Sequence, residues 1–112
     1  MVNSLFDITG KKAIVTGGTR GLGKGMAEGL MEAGCEVCIV GSSEKSVSAA
    51  LAKFQAKGFA CHGVHGDMSV REEVYRVFQA ALAELGGDLD ILVVAHGIQR
   101  RHSAAAFPLS DG

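Results

Sequence analysis

Several signatures are missing from this sequence, and each absence closes off a class of function. Neither charge is in excess: Lys and Arg number 11, Asp and Glu 12, and the formal charge is −1. A balance so near zero leaves no electrostatic footprint for a nucleic acid or an anionic membrane. No apolar run approaches the length of a bilayer span. The stretch from Met1 to Lys12 lacks the basic-then-apolar layout of a signal peptide, so the expected compartment is the cytoplasm. Low-complexity tracts, internal repeats and interdomain linkers are absent too. At 112 residues the chain is at most one domain.

Metal and nucleotide-triphosphate chemistry are equally short of residues. The cysteines are Cys35, Cys38 and Cys61, an odd set. Cys38 falls inside an apolar run and the other two at strand edges, where buried thiols are common. Cys61-His62 and His65 have no second ligand pair at zinc spacing, so no metal site is expected. His62 and His65 read as solvated residues of a strand edge. No Gly-Lys-Ser/Thr closes a glycine loop, which excludes a P-loop.

What is present is organised around Ala13-Ile14-Val15-Thr16-Gly17-Gly18-Thr19-Arg20-Gly21-Leu22-Gly23. A short apolar run ends in glycine-punctuated residues, and a helical pattern follows at once. Unpaired N–H groups and the helix dipole at such a junction suit a pyrophosphate. Gly17 is expected to allow the tight turn, Gly21 to let the backbone approach the phosphates, and Gly23 to hold the helix near the strand.

The rest of the chain repeats the alternation. The first strand is expected at residues 12–16, followed by a helix with Leu22, Met26, Ala27, Leu30 and Ala33 on one face. Gly34 stops it. Residues 36–40 form a second strand whose Val37-Cys38-Ile39-Val40 shows no polar alternation, the mark of a parallel sheet covered on both sides. A helix burying Val47, Ala50, Leu51 and Phe54 runs to Gly58, and residues 59–65 make a third strand. Ser69-Val70-Arg71-Glu72 fits a capping box for a third helix, with Ser69 at the N-cap. Its stripe is Val74, Val77, Phe78, Ala81, Leu82 and Leu85, ending at Gly86-Gly87. Residues 90–95 form a fourth strand. Leu5, Phe6 and Ile8 are expected to cover an edge or the bottom of the sheet. Right-handed crossovers then give an α/β, doubly wound parallel sheet, Rossmann-like but incomplete, in strand order 3-2-1-4. The ligand crevice lies where the order reverses, between strands one and four.

With Thr16 in front, the spacing resembles the Thr-Gly-x-x-x-Gly-x-Gly signature of the short-chain dehydrogenase/reductase family, and the resemblance extends over essentially the whole chain. It implies that residues 1–112 are the N-terminal portion of an NAD(P)-binding domain. The cofactor-binding residues it implies are Gly17, Thr19, Arg20, Gly21, Leu22 and Gly23 of the turn, Ser42 after strand two, Asp67 and Met68 after strand three, and Ala95, His96 and Gly97 after strand four. Asp67 stands where family members contact the adenine amino group. Val94-Ala95-His96-Gly97 occupies the place of the family's Asn-Asn-Ala-Gly, and only Gly97 matches cleanly.

Cofactor choice is made at the end of strand two, where an acid selects NAD. Gly41 and Ser42 stand there instead. Arg20 resembles the basic position of NADP-preferring members, and Ser42 or Ser43 offers a hydroxyl to a phosphate; the reading leans to NADP over NAD. Ile98-Gln99-Arg100-Arg101-His102 with Phe107-Pro108-Leu109 resembles the loop of the family's sugar-acid dehydrogenases, those of gluconate and the deoxygluconates. Arg100 and Arg101 suit a carboxylate substrate, since a guanidinium pairs with it bidentately.

The family's catalytic Ser, Tyr-x-x-x-Lys and helix Asn have no counterpart in these residues. Tyr75 is followed four positions later by Gln79 and lies in an amphipathic helix, so no catalytic residue is expected here. Two readings stay open at this level: the cofactor-binding half of a small-molecule oxidoreductase, acting as a homo-oligomer, or a non-catalytic module that binds nucleotide or pairs with a partner chain.

Overall fold

A computed structural model describes residues 8–19 and 21–95. Strands and helices alternate: β1 (Lys12–Thr16), α1 (Gly21–Glu32), β2 (Glu36–Gly41), α2 (Glu44–Ala56), β3 (Cys61–His65), α3 (Arg71–Glu84) and β4 (Ile91–Val94). The sheet runs β3-β2-β1-β4 with every pair parallel. The expected order is thus observed. Boundaries move by a residue or two at β2, β3 and β4, the usual fraying of element ends.

Alternation of side chains sends the two faces of each strand into separate cores. Ala13, Val15, Val37 and Ile39 point to the side covered by α1 and α2, where they meet Ala27, Met31, Ala50 and Phe54. Ile14, Cys38 and Val40 point to the other side, against Val77 and Ala81 of α3 and its C-cap Leu85. Val37 to Val40 are all fully buried, the reason β2 carries no polar alternation. Each such side chain contributes about 1.5–3 kcal/mol by leaving water.

Two local expectations are corrected. The buried stripe of α1 is Gly23, Ala27 and Met31. Leu22 and Met26 are 65% and 40% exposed, Leu30 is half-buried, and Ala33 lies beyond the helix, exposed. The helix seats on Gly23, whose missing side chain lets its axis close on the glycine turn. That contact, rather than the bulkiest residues, sets its rotation. At α3, the N-cap is Val70 with no side-chain bond, not Ser69. The Ser69 hydroxyl and N–H both donate to Asp67 Oδ1, at 2.6 and 3.0 Å, so the hydroxyl is committed to Asp67, one residue ahead of the N-cap.

His62 is likewise not simply solvated: it is half-buried and bridges Glu36 and Glu84. His65 is exposed, as expected. The three cysteines are buried free thiols. Burial pushes Cys38 up to about 12 and Cys61 up to about 11, which keeps both protonated and inert. Ile8 packs against the α1–α2 core; Leu5 and Phe6 lie outside the described residues.

Candidate cofactor cleft

β1 delivers the chain to the reversal point, where β2 lies on one side and β4 on the other. Beyond the strand ends opens a cleft of about 310 Å³, lined by Gly17, Thr19, Leu22, Gly23, Val40, Gly41, Ser42, Met68 and Ala95. These come from the glycine turn, the start of α1, the ends of β2 and β4, and the loop after β3. Each was brought there by a strand whose length and register set the exit point.

The turn is pinned to β2. Gly17 N–H and Gly18 N–H donate to the Val40 carbonyl at 2.8 and 3.2 Å. Their hydrogens are therefore already used, and anion-binding capacity falls to the first turn of α1, whose N–H groups have no intrahelical acceptor. Gly17 and Gly21 stand at φ 73 and 60, in the left-handed region that favours glycine. A Cβ on Gly23 would lie 2.0 Å from the Gly17 carbonyl oxygen and 3.1 Å from Ala95 Cβ. Close approach of helix to turn is thus obligatory. A Cβ on Gly21 would meet nothing within 4 Å, so the space the sequence assigns to a phosphate is open.

β4 is tied at the same place. Thr16 Oγ1 donates to the Val93 carbonyl at 3.3 Å, and Ala95 N–H donates to the Thr16 carbonyl at 3.2 Å. Thr16 is thereby buried yet bonded, and Ala95 is held at the cleft wall.

Of the other expected residues, Ser42 is exposed at the cleft and Met68 half-buried in its wall. Ser43 caps α2: its hydroxyl accepts from Ser46 N–H at 3.1 Å and donates to Ser46 Oγ at 3.0 Å, leaving Ser42 as the hydroxyl offered to a ligand. Asp67 is exposed and does not line the cleft; its carboxyl is held below the usual range by the Ser69 hydroxyl first and the Ser69 N–H second. Tyr75 is 70% exposed on α3, away from the cleft. Arg20, His96, Gly97, Arg100 and Arg101 lie outside the described residues. Among the described residues no charged side chain lines the cleft and no cluster could hold a metal. Among the described residues the α1 N-terminus is the positive element at the cleft, and it fits an anionic, extended ligand.

Gly18 and Gly41 were not among the cofactor-binding residues read from sequence; Gly41 lines the cleft, and both lie where the turn and β2 approach closely. A Cβ on Gly18 would stand 2.9 Å from Ile39 Cγ2, and one on Gly41 would stand 2.6 Å from Thr19 Cγ2. The turn presses on β2 at both points. Glycine at the end of an apolar strand is a signal for such close approach.

A glycine turn on the first strand of a parallel sheet, feeding a helix N-terminus at the reversal point, defines a dinucleotide-binding α/β protein. Residues 11–111 match the short chain dehydrogenase family model, and the chain belongs to that family. It is 35% identical over 108 residues to a 2-dehydro-3-deoxy-D-gluconate 5-dehydrogenase of Formosa agariphila, covering 96% of this chain and 40% of the relative. A gluconate 5-dehydrogenase of Gluconobacter oxydans is 34% identical over 107 residues, covering 96% and 41%. The fold matches the crystal structure of a 3-oxoacyl (acyl-carrier-protein) reductase from Agrobacterium tumefaciens with NADP bound, at TM-score 0.75 and 30% identity, over 99% of this chain and 42% of that one. The chain spans about 40% of the length of the curated relatives it matches.

Proposed function

We propose that this chain is the NADP(H)-binding part of an oxidoreductase that acts on a sugar acid of the gluconate or deoxygluconate type. The observation that carries the reading is the glycine turn: Gly17 and Gly21 at positive φ, with Gly23 seated against the Gly17 carbonyl. Bound in the cleft, the nicotinamide would supply or accept the hydride. The chain's own part is to hold the cofactor. The first turn of α1 receives the pyrophosphate, Met68 borders the adenine side and Asp67 is assigned to the adenine amino group, and Ala95 borders the nicotinamide side, to which His96 and Gly97 are also assigned. Gly17, Thr19, Leu22 and Gly23 shape the path between.

The preference for NADP rests on what stands after β2. Gly41 and Ser42, at the point where an acid would select NAD, are not acids, Ser42 is exposed at the cleft, and Arg20 is the residue assigned to the 2′-phosphate. The sugar-acid assignment is supported by the names of the two dehydrogenases above, and Arg100 and Arg101 are the residues assigned to the substrate carboxylate. No acid/base pair of the family type occurs in these residues, so proton transfer belongs to the whole protein. That whole protein is proposed to be a cytoplasmic homo-oligomer.

Fluorescence titration with NADPH and NADH tests the cofactor assignment. NADPH is expected to bind more tightly, and Gly21→Val to abolish binding of both. Arg20→Ala should weaken NADPH selectively by about tenfold or more, since a hydrogen bond to a charged group contributes about 1.5–3 kcal/mol. Equal binding by the wild type and Gly21→Val overturns the site; an equal loss of both cofactors in Arg20→Ala overturns the 2′-phosphate role.

A further inference from the structure

Gly41, the last residue of β2, lines the cleft and faces three other segments of the chain. These are Thr19 of the glycine turn, Val47 of α2, and Gly66 after β3, whose N–H donates to the Gly41 carbonyl at 3.0 Å. Glycine is not needed there for its backbone, because Gly41 is not among the glycines at positive φ. What the position needs is space. A Cβ on Gly41 would stand 2.6 Å from Thr19 Cγ2 and 2.9 Å from Val47 Cγ2, closer than side-chain carbons pack.

Neither neighbour is free to retreat. Thr19 and Val47 are β-branched and stiff at χ1. Val47 is buried, and its other methyl fills a second notch on β3, where a Cβ on Gly63 would lie 2.5 Å from Val47 Cγ1. α2 is thereby seated on two glycines at once. Thr19 belongs to the turn whose Gly17 and Gly18 N–H groups are fastened to the Val40 carbonyl, one residue before Gly41. A side chain in place of Gly41 must therefore displace Thr19, and the turn with it. The end of β2 is also where an acid selects NAD. We propose that Gly41 is a positioning residue: the notch it leaves seats Thr19, bars an NAD-selecting carboxylate from that position, and passes the selection of cofactor to Ser42.

The proposal rests on the assignment of the cleft to NADP(H). Side chains alternate along β2, so Gly41 shares the face of Ile39, the one that α1 and α2 cover. Ser42 follows beyond the strand end and is exposed at the cleft. An acid in place of Ser42 starts from an exposed position and leaves the turn where it is. An acid in place of Gly41 has first to push Thr19 aside. Two substitutions of the same charge, one residue apart, are thus expected to differ in kind.

Fluorescence titration of the full chain with NADPH and NADH tests this. Gly41→Asp should weaken both cofactors about fivefold or more, the low end of what overpacking costs, without a change of preference. Ser42→Asp should weaken NADPH alone and move the preference toward NADH. Gly41→Ala, which adds no charge, should lower both affinities by the same factor. Thr19→Ser in that background removes only Cγ2 and should restore a good part of the loss. In the wild type, with no cofactor present, nuclear Overhauser contacts are expected from the Gly41 α-protons to the Thr19 and Val47 methyls. A Gly41→Asp protein that prefers NADH overturns the proposal, as do missing Overhauser contacts or a Thr19→Ser change that restores nothing. A wild-type chain that binds neither cofactor overturns the assignment of the cleft and the selection role with it, while the Overhauser contacts separately decide the packing at Gly41.

Discussion

Two glycines of α1, six positions apart, would respond in opposite ways to a single added methyl group. Gly23 sits where helix and turn touch, and a Cβ there would overlap the Gly17 carbonyl. Gly29 is exposed, with nothing within 4 Å of a Cβ. Gly23→Ala is expected to destabilise by about 1–3 kcal/mol through overpacking and to lose NADPH binding with it. Gly29→Ala should stabilise by about 0.5–1 kcal/mol, because alanine loses less backbone freedom in a helix, and should leave binding intact. Urea unfolding and cofactor titration on the two variants check both signs. A Gly23→Ala protein that binds NADPH normally would show that the turn can open around a side chain. Composition alone gives no way to tell these glycines apart. The first is named by its place in the motif, the second only by the space around it.

At the scale of elements, the start of α3 is held by side chains that are negative at neutral pH. Asp67 Oδ1 takes two hydrogen bonds from Ser69, and Arg76 donates to Glu73 at 2.9 Å and to the His65 carbonyl at 3.0 Å. The Ser69 hydroxyl pulls the Asp67 carboxyl down, and the Arg76 guanidinium pulls the Glu73 carboxyl down. A lowered value means that the folded state favours the ionised form. The stabilisation is therefore complete above the ordinary carboxylate range and disappears as pH falls through the lowered values. Asp67→Asn is expected to lower Tm at neutral pH and to converge on the wild type under acid conditions, as followed by circular dichroism. A difference in Tm that is constant from neutral to acid pH would assign the loop's hold to something other than ionised Asp67. This loop also shows where pattern reading falls short. Ser69 and Glu72 satisfy the spacing of a capping box, but the spacing does not reveal that Asp67 competes for the same hydroxyl.

For the molecule as a whole, the two edges of the sheet differ. β3 is flanked by α2 and α3, while β4 leaves Leu92 48% and Val94 37% exposed. Leu92 pairs with Ile14 and so shares the face on which α3 packs mainly over β3 and β2. An apolar strand at an edge of the described sheet invites pairing with another chain. Sedimentation of the 112-residue chain should show concentration-dependent association. Leu92→Lys should weaken it about tenfold or more, by removing a side chain whose burial contributes about 1.5–3 kcal/mol. A monomer at every concentration would sink this expectation.

The strand order, the two-sided burial of β2 and the position of the glycine turn were legible because each is a local pattern with a local cause. An apolar run without alternation must be covered on both faces, and a strand–glycine–helix junction must leave N–H groups at the helix start. The family resemblance was legible for the same reason, since Thr16, Gly17, Gly21 and Gly23 lie within one short stretch. Tertiary structure alone decided the rest. The rotation of α1 follows from Gly23 meeting Gly17, and the roles of Gly18 and Gly41 from the turn pressing on β2. The pairing of His62 with Glu36 and Glu84 joins residues 26 and 22 positions apart in the chain, from β2 and α3. No periodicity encodes such contacts. They depend on where strand register and helix packing set side chains that the sequence keeps far apart.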